Sequence, residues 1–120
     1  MVEEEKVDFK KADDAWVTEL LLSYGFNPVY AGFKHLRQAI MHALERPVLL
    51  NNLSRGLYSV VAEQYEVNPA NVERDIRFVI EKAAQTEAFQ KNAGKYFPYP
   101  YVPSNKQFLT TMYEVIRMMK

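Results

Sequence analysis

The chain has 120 residues, 48% apolar and 25% charged, a composition that fits one folded domain and excludes a disordered segment. Cysteine is absent, which excludes disulfide frameworks, thiolate zinc sites and cysteine nucleophiles. Fifteen Lys and Arg balance fifteen Asp and Glu, so bulk charge alone points to no nucleic-acid partner, and no apolar run approaches the roughly 18 residues of a membrane span. Residues 1–13 are rich in charge and lack the apolar core of a secretory signal. They read as a flexible tail, and residues 14–120 read as the domain of a cytoplasmic protein.

The domain reads as helices throughout. Asp13 or Asp14 can cap a first helix with Val17, Leu20, Leu21 and Tyr24 on one face, and Gly25 suits the left-handed position after it. A second helix spans about Ala31–Glu45, with Phe33, Leu36, Ile40, Ala43 and Leu44 inward, and Pro47 stops it. A third runs from Leu49 or Asn52 to Tyr65 on a stripe of Leu53, Leu57, Val60 and Val61, with Ser54 as a cap. Asn68 and Pro69 are a good cap and first residue for a fourth helix, which reaches Ala84 and buries Val72, Ile76, Val79, Ile80 and Ala83. A short fifth helix covers Thr86–Ala93. Three prolines keep Lys95–Pro103 irregular, and Ser104 and Gln107 form a capping box for a sixth helix carrying Phe108, Met112, Val115, Ile116 and Met119. No period-2 run stands beside a turn signal, so the fold class is all-α, a compact six-helix domain with a helix-turn-helix over about 50–84.

Little in this pattern points to an enzyme, a metal or a cofactor. His35 and His42 are seven residues apart on one helix, about 10 Å along its axis, too far to share an ion. Both read as structural or solvent-facing. Ser54 and Ser104 read as caps, with no nucleophile elbow around either, and the glutamates read as solvated faces. No catalytic, metal or cofactor residues are expected. The aromatic residues Tyr96, Phe97, Tyr99 and Tyr101 read as a lid over the core. Their alternative use is stacking on bases or lining a partner groove.

The fourth helix is the feature that points to a partner. At 100° per residue its core stripe centres on Val72 and Ala83, and Arg74 points directly away from it. Asn71, Arg77, Phe78 and Glu81 flank Arg74. Such a face on the second helix of a helix-turn-helix is what major-groove reading requires. Arginine can donate two bonds to guanine, asparagine can pair with adenine, and Glu73 can accept from a cytosine amino group. The ordinary alternative is a solvated helix face with Arg77 and Glu81 as an i, i+4 pair. Residues 51–90 hold four basic groups against six acidic ones, and residues 91–120 hold five against one. Phosphate contacts are therefore expected from Lys106 and the C-terminal part, with Lys34, Arg37 and Arg55.

Gly32–Ile40 (GFKHLRQAI), Val72–Arg77 (VERDIR), Ile80-Glu81 and Pro103-Ser104-Asn105 before Phe108 together resemble a known family. It is that of the C-terminal effector domains of the sporulation response regulator, the stage zero sporulation protein A family. The resemblance covers about Trp16–Met119. It implies an all-helical domain whose recognition helix enters the major groove of a TGTCGAA-like box. It implies double-stranded DNA with tandem boxes as the partner, a head-to-tail dimer on that DNA, and contact with the RNA polymerase sigma factor through about Gln85–Gln90. The family's DNA-contacting positions fall on Asn71, Glu73, Arg74, Arg77 and Phe78. The chain departs from the family at Asn71, where an arginine is usual, at Phe78, where a histidine is usual, and at Asp75, where a small residue is usual. Pro100 and Val102 stand where lysines are usual. The family's regulators also carry a phosphoacceptor domain, so the chain reads as an excised domain or a free-standing relative. The competing function is a protein-interaction module of the same fold, with Phe78 and the Tyr/Pro loop binding sigma factor, polymerase or a sporulation regulator.

Overall fold

A computed structural model of the chain describes residues 13–119. Six α-helices follow in order: α1 (Asp14–Ser23), α2 (Ala31–Glu45), α3 (Tyr58–Tyr65), α4 (Pro69–Ala84), α5 (Glu87–Ala93) and α6 (Asn105–Met118). No strand occurs among the described residues. The flexible tail expected over residues 1–13 lies outside the described residues except for Asp13. That residue is part of the fold, since its carboxylate accepts the Trp16 N–H and caps α1. No helix among the described residues is long and apolar enough to cross a membrane.

Most helix ends lie where the local chemistry puts them. Asn68, Thr86 and Ser104 each accept a backbone N–H in the first turn of α4, α5 and α6, and Gln107 completes the capping box at Ser104. The exception is the segment before α3. The expected continuous helix is broken into a 3-10 helix (Pro47–Asn51), an extended Asn52, a π turn (Leu53–Leu57) and then α3. Pro47 starts the first piece, and the Asn52 side chain accepts the Arg55 N–H to start the second. Asn52, not Ser54, is thus the cap.

Helix α2 is central and packs against α1, α3, α4 and α6. Its inward face buries Phe33, Leu36, Ala39, Ile40 and Ala43. At its N-terminal end Gly32 lets two backbones touch: a Cβ there would lie 2.1 Å from the Asp75 carbonyl oxygen of α4. Gly25 is needed twice over after α1, for its φ of +87° and because a Cβ would meet Thr86 Oγ1 at 2.2 Å. An aromatic cluster closes the other end of the core. Phe97 stacks on Phe89 and Phe108 at 6.0 and 5.6 Å, and Phe26 leans on both of those rings. Burying each such ring stabilises by about 1.5–3 kcal/mol. The lid expected of the Tyr/Pro loop is therefore formed by Phe97 and the half-buried Tyr96, while Tyr99 and Tyr101 stay exposed.

Candidate nucleic-acid interface

Helices α3 and α4 form a helix-turn-helix joined by Glu66, Val67 and Asn68. The joint has no glycine, and Glu66 takes the left-handed conformation itself, at φ 58° and ψ 45°. The Val67 N–H then donates to the Ala62 carbonyl at 3.0 Å, which satisfies an orphan carbonyl of α3. Asn68 Oδ1 accepts the Asn71 N–H, and Pro69 fills the first position of α4. These contacts fix where α4 begins and hence which way its residues face.

The α4 core stripe is as expected: Val72, Ile76, Val79, Ile80 and Ala83 are all buried. Arg74 stands on the outward ridge with 60% of its side chain exposed. The two flanks of the ridge differ. On one, Glu73, Arg77 and Glu81 face α6 across a groove of about 610 Å³ that Tyr101, Ser104 and Lys106 close from the far side. On the other, Phe78 sits 45% exposed, its ring edge-to-face with Tyr30 at 5.1 Å and the Lys82 ammonium 5.7 Å away. Asn71 is half-buried at the helix start. Glu73, Arg77 and Lys106 therefore share one groove, Arg74 crowns the helix, and Phe78 turns toward α2.

Several charges already have partners. Arg77 Nη1 donates to the Glu73 carboxylate, one turn back, and not to Glu81 as the spacing alone allowed. The Lys106 ammonium donates to the Leu50 carbonyl at 2.8 Å and ties α6 to the 3-10 helix, while the residue is exposed and an ammonium has two further protons to donate. Arg37 donates to Thr18 Oγ1 and lies over the Phe33 ring, and Lys34 lies over Tyr65, so both serve the packing of α2. Arg55 is exposed.

Two residues that hold the site together were not read as such from the sequence. Asn105 is buried, and its amide donates to the Tyr58 hydroxyl at 2.9 Å and the Glu73 carbonyl at 3.1 Å. It docks the start of α6 onto α3 and α4. Burial pushes the Tyr58 phenol above its usual range, so the hydroxyl stays protonated and available to that amide. The second residue is Asp75, whose carboxylate lies 3.6 Å from Arg74 Nη2 and 3.4 Å from His35 Nδ1. His35 is buried, and its pKa is held below the usual value by burial, which outweighs the pull of Asp75. His42 instead pairs with Gln64 at 2.9 Å. No group of three or more His, Cys, Asp or Glu among the described residues could hold a metal ion.

The sequence matches the family described as Sporulation initiation factor Spo0A C terminal over residues 17–116. That span takes in all of α2 to α5, the Tyr/Pro loop and nearly all of α6. It includes every residue of the α4 face. The family comprises DNA-binding, all-α effector domains that regulate transcription in sporulation, and it is not a family of enzymes. The chain belongs to the family of Spo0A C-terminal domains, the DNA-binding effector domains of sporulation initiation.

Proposed function

We propose that the protein is a sequence-specific transcription regulator domain that lays α4 in the major groove of double-stranded DNA. The observation that carries this reading is Arg74: it is exposed on the outward face of the second helix of a helix-turn-helix, opposite a fully buried stripe. Arg74 and Glu73 read bases, and Asn71 assists at the helix start. Arg77 and Lys106, on one groove wall each, bind phosphate. Two domains bind tandem boxes head to tail, and the Gln85–Gln90 segment faces the sigma factor. The DNA-binding unit is residues 14–120, and it works in the cytoplasm on chromosomal DNA.

The test is fluorescence anisotropy with a labelled duplex carrying two tandem family-type boxes, against a scrambled duplex of equal length. Tighter binding to the boxes is expected. Arg74→Ala should remove that preference, at about 1–3 kcal/mol for a lost bidentate contact. Preserved preference in the variant would place the reading face elsewhere.

A second reading is favoured by one apolar patch. Phe78 and Val29 are 45% and 76% exposed, and Tyr30 joins them in chain and in space. An exposed Phe beside a lysine is a good anchor for a protein partner. On this reading the domain binds sigma factor, polymerase or another sporulation regulator without reading DNA. Phe78→Ala should then lose capture of the purified partner while the circular dichroism spectrum stays the same. Undiminished capture would remove the second reading.

A further inference from the structure

We infer that Asp75 is a positioning residue that works against DNA reading: its carboxylate, which faces His35 of α2, restrains the Arg74 guanidinium. The inference rests on α4 being the reading helix. Its basis is a chain of three groups running from the core to the surface. His35 is 4% exposed, Asp75 26% and Arg74 60%. One Asp75 oxygen faces His35 Nδ1 at 3.4 Å, and the other faces Arg74 Nη2 at 3.6 Å.

The contact with α2 extends to the backbone. Gly32 and His35 lie one turn apart on α2, and Gly32 lets α2 approach the Asp75 carbonyl to within contact. Asp75 thus meets the same helix with both its main chain and its side chain. His35 Nδ1 is buried and has no well-aligned hydrogen-bond partner among the described residues, so the Asp75 carboxylate is the polar group it faces. From α3, the Tyr65 ring covers the imidazole at 5.2 Å, and from α2 the Lys34 ammonium rests on that same ring. Asp75 and Lys34 are the charges that bear on His35. Burial disfavours a proton on the imidazole, so His35 does little to offset the Asp75 carboxylate that Arg74 meets.

The consequence concerns the protein before it meets DNA. Arg74 starts beside a carboxylate that competes with a base edge or a phosphate for its fork. The carboxylate also stands on the DNA-facing helix, where it repels phosphate through space. These two effects separate experimentally. Repulsion acts whether or not Arg74 is present, whereas restraint disappears with Arg74.

The experiment is a double-mutant cycle on the tandem-box duplex, read by anisotropy, with Asp75→Asn made alone and together with Arg74→Ala. Asp75→Asn is expected to tighten binding about two- to five-fold beyond any gain it gives in the Arg74→Ala background. Asp75→Ala serves as the second variant. Without DNA, the His35 imidazole is titrated by NMR, and its midpoint should fall in Asp75→Asn because a nearby negative charge is gone. An equal gain in both backgrounds, no gain, or an unmoved midpoint would overturn the role of Asp75. Failure of the unsubstituted protein to bind either duplex would overturn the reading by α4 and the positioning role with it. The NMR midpoint would then still report whether the His35–Asp75 contact exists.

Discussion

His35 lies one turn after Gly32 on α2, and both residues look toward α4. The imidazole is buried under Tyr65, and burial keeps its folded-state pKa below the ordinary 6.5 despite the Asp75 carboxylate nearby. An unfolded chain has no such restraint, so its imidazole takes up a proton as pH falls through about 6.5. Between that pH and the lower folded-state value, the unfolded state binds more protons than the folded one. Stability is therefore fully present above pH 6.5 and is lost as pH falls below it. Urea denaturation at pH 7.5, 6.5 and 5.5 should show this decline, and His35→Gln should flatten it. Equal slopes in the two proteins would show that another group carries the pH dependence. The burial of His35 was half legible: its spacing from His42 argued against a metal and left it structural or solvent-facing, and nothing in the sequence paired it with Asp75, forty residues away. Arg74, by contrast, was placed outward by the 100° rule alone, because the buried stripe opposite it is unbroken.

At the scale of elements, the joint between α3 and α4 carries the geometry of the site. Asn68 satisfies an orphan N–H of α4, and replacing it with alanine should cost about 1 kcal/mol of folding stability. Glu66 does the opposite kind of work two residues earlier, holding a left-handed conformation that L-residues adopt at a cost of roughly 1–2 kcal/mol. Glu66→Gly removes that cost but loosens the unfolded chain, so a net gain of about 0.5–1 kcal/mol is expected. Chemical denaturation of the two variants should move in opposite directions. A loss of stability in Glu66→Gly would mean that the glutamate side chain contributes more than its backbone strain takes away. The ends of α2, α4 and α6 were legible because a proline, an Asx or a serine stands at each start or stop. The stretch 47–57 was not. Leu53, Leu57, Val60 and Val61 make a plausible helical stripe, and hydrophobic period does not reveal that the Asn52 side chain accepts the Arg55 N–H and breaks the run. The attachment of α6 was equally silent, since a buried Asn105 that reaches the Glu73 carbonyl follows from three-dimensional packing alone.

On the scale of the whole molecule, the question is how a domain of no net charge approaches a polyanion. The sequence supplies fifteen positive groups, but the fold spends several on itself. Arg37 is tied to Thr18, Lys34 covers Tyr65, and Arg117 pairs with Glu114 at 2.9 Å. Donors remain on Arg77 and Lys106, which line the groove beside α4, and on the exposed Arg55, while Arg77 shares its charge with Glu73. Each phosphate neutralised releases counterions and contributes about −0.9 to the slope of log affinity against log salt. Three such contacts per domain give a slope of about −3 per domain bound. Specificity must then come mainly from the bases that Arg74 and Glu73 meet, because little affinity is available from the backbone. Titrating one domain onto a single-box duplex across a range of KCl concentrations tests this directly. Lys106→Ala should weaken binding to box and scrambled duplexes alike and make the slope shallower by about 1, since a phosphate contact carries no sequence information. Arg74→Ala should do the reverse, closing the gap between box and scrambled duplexes with little change in slope. A Lys106→Ala variant with an unaltered slope would mean that its bond to Leu50 is its whole role, and that α6 meets the DNA through other residues.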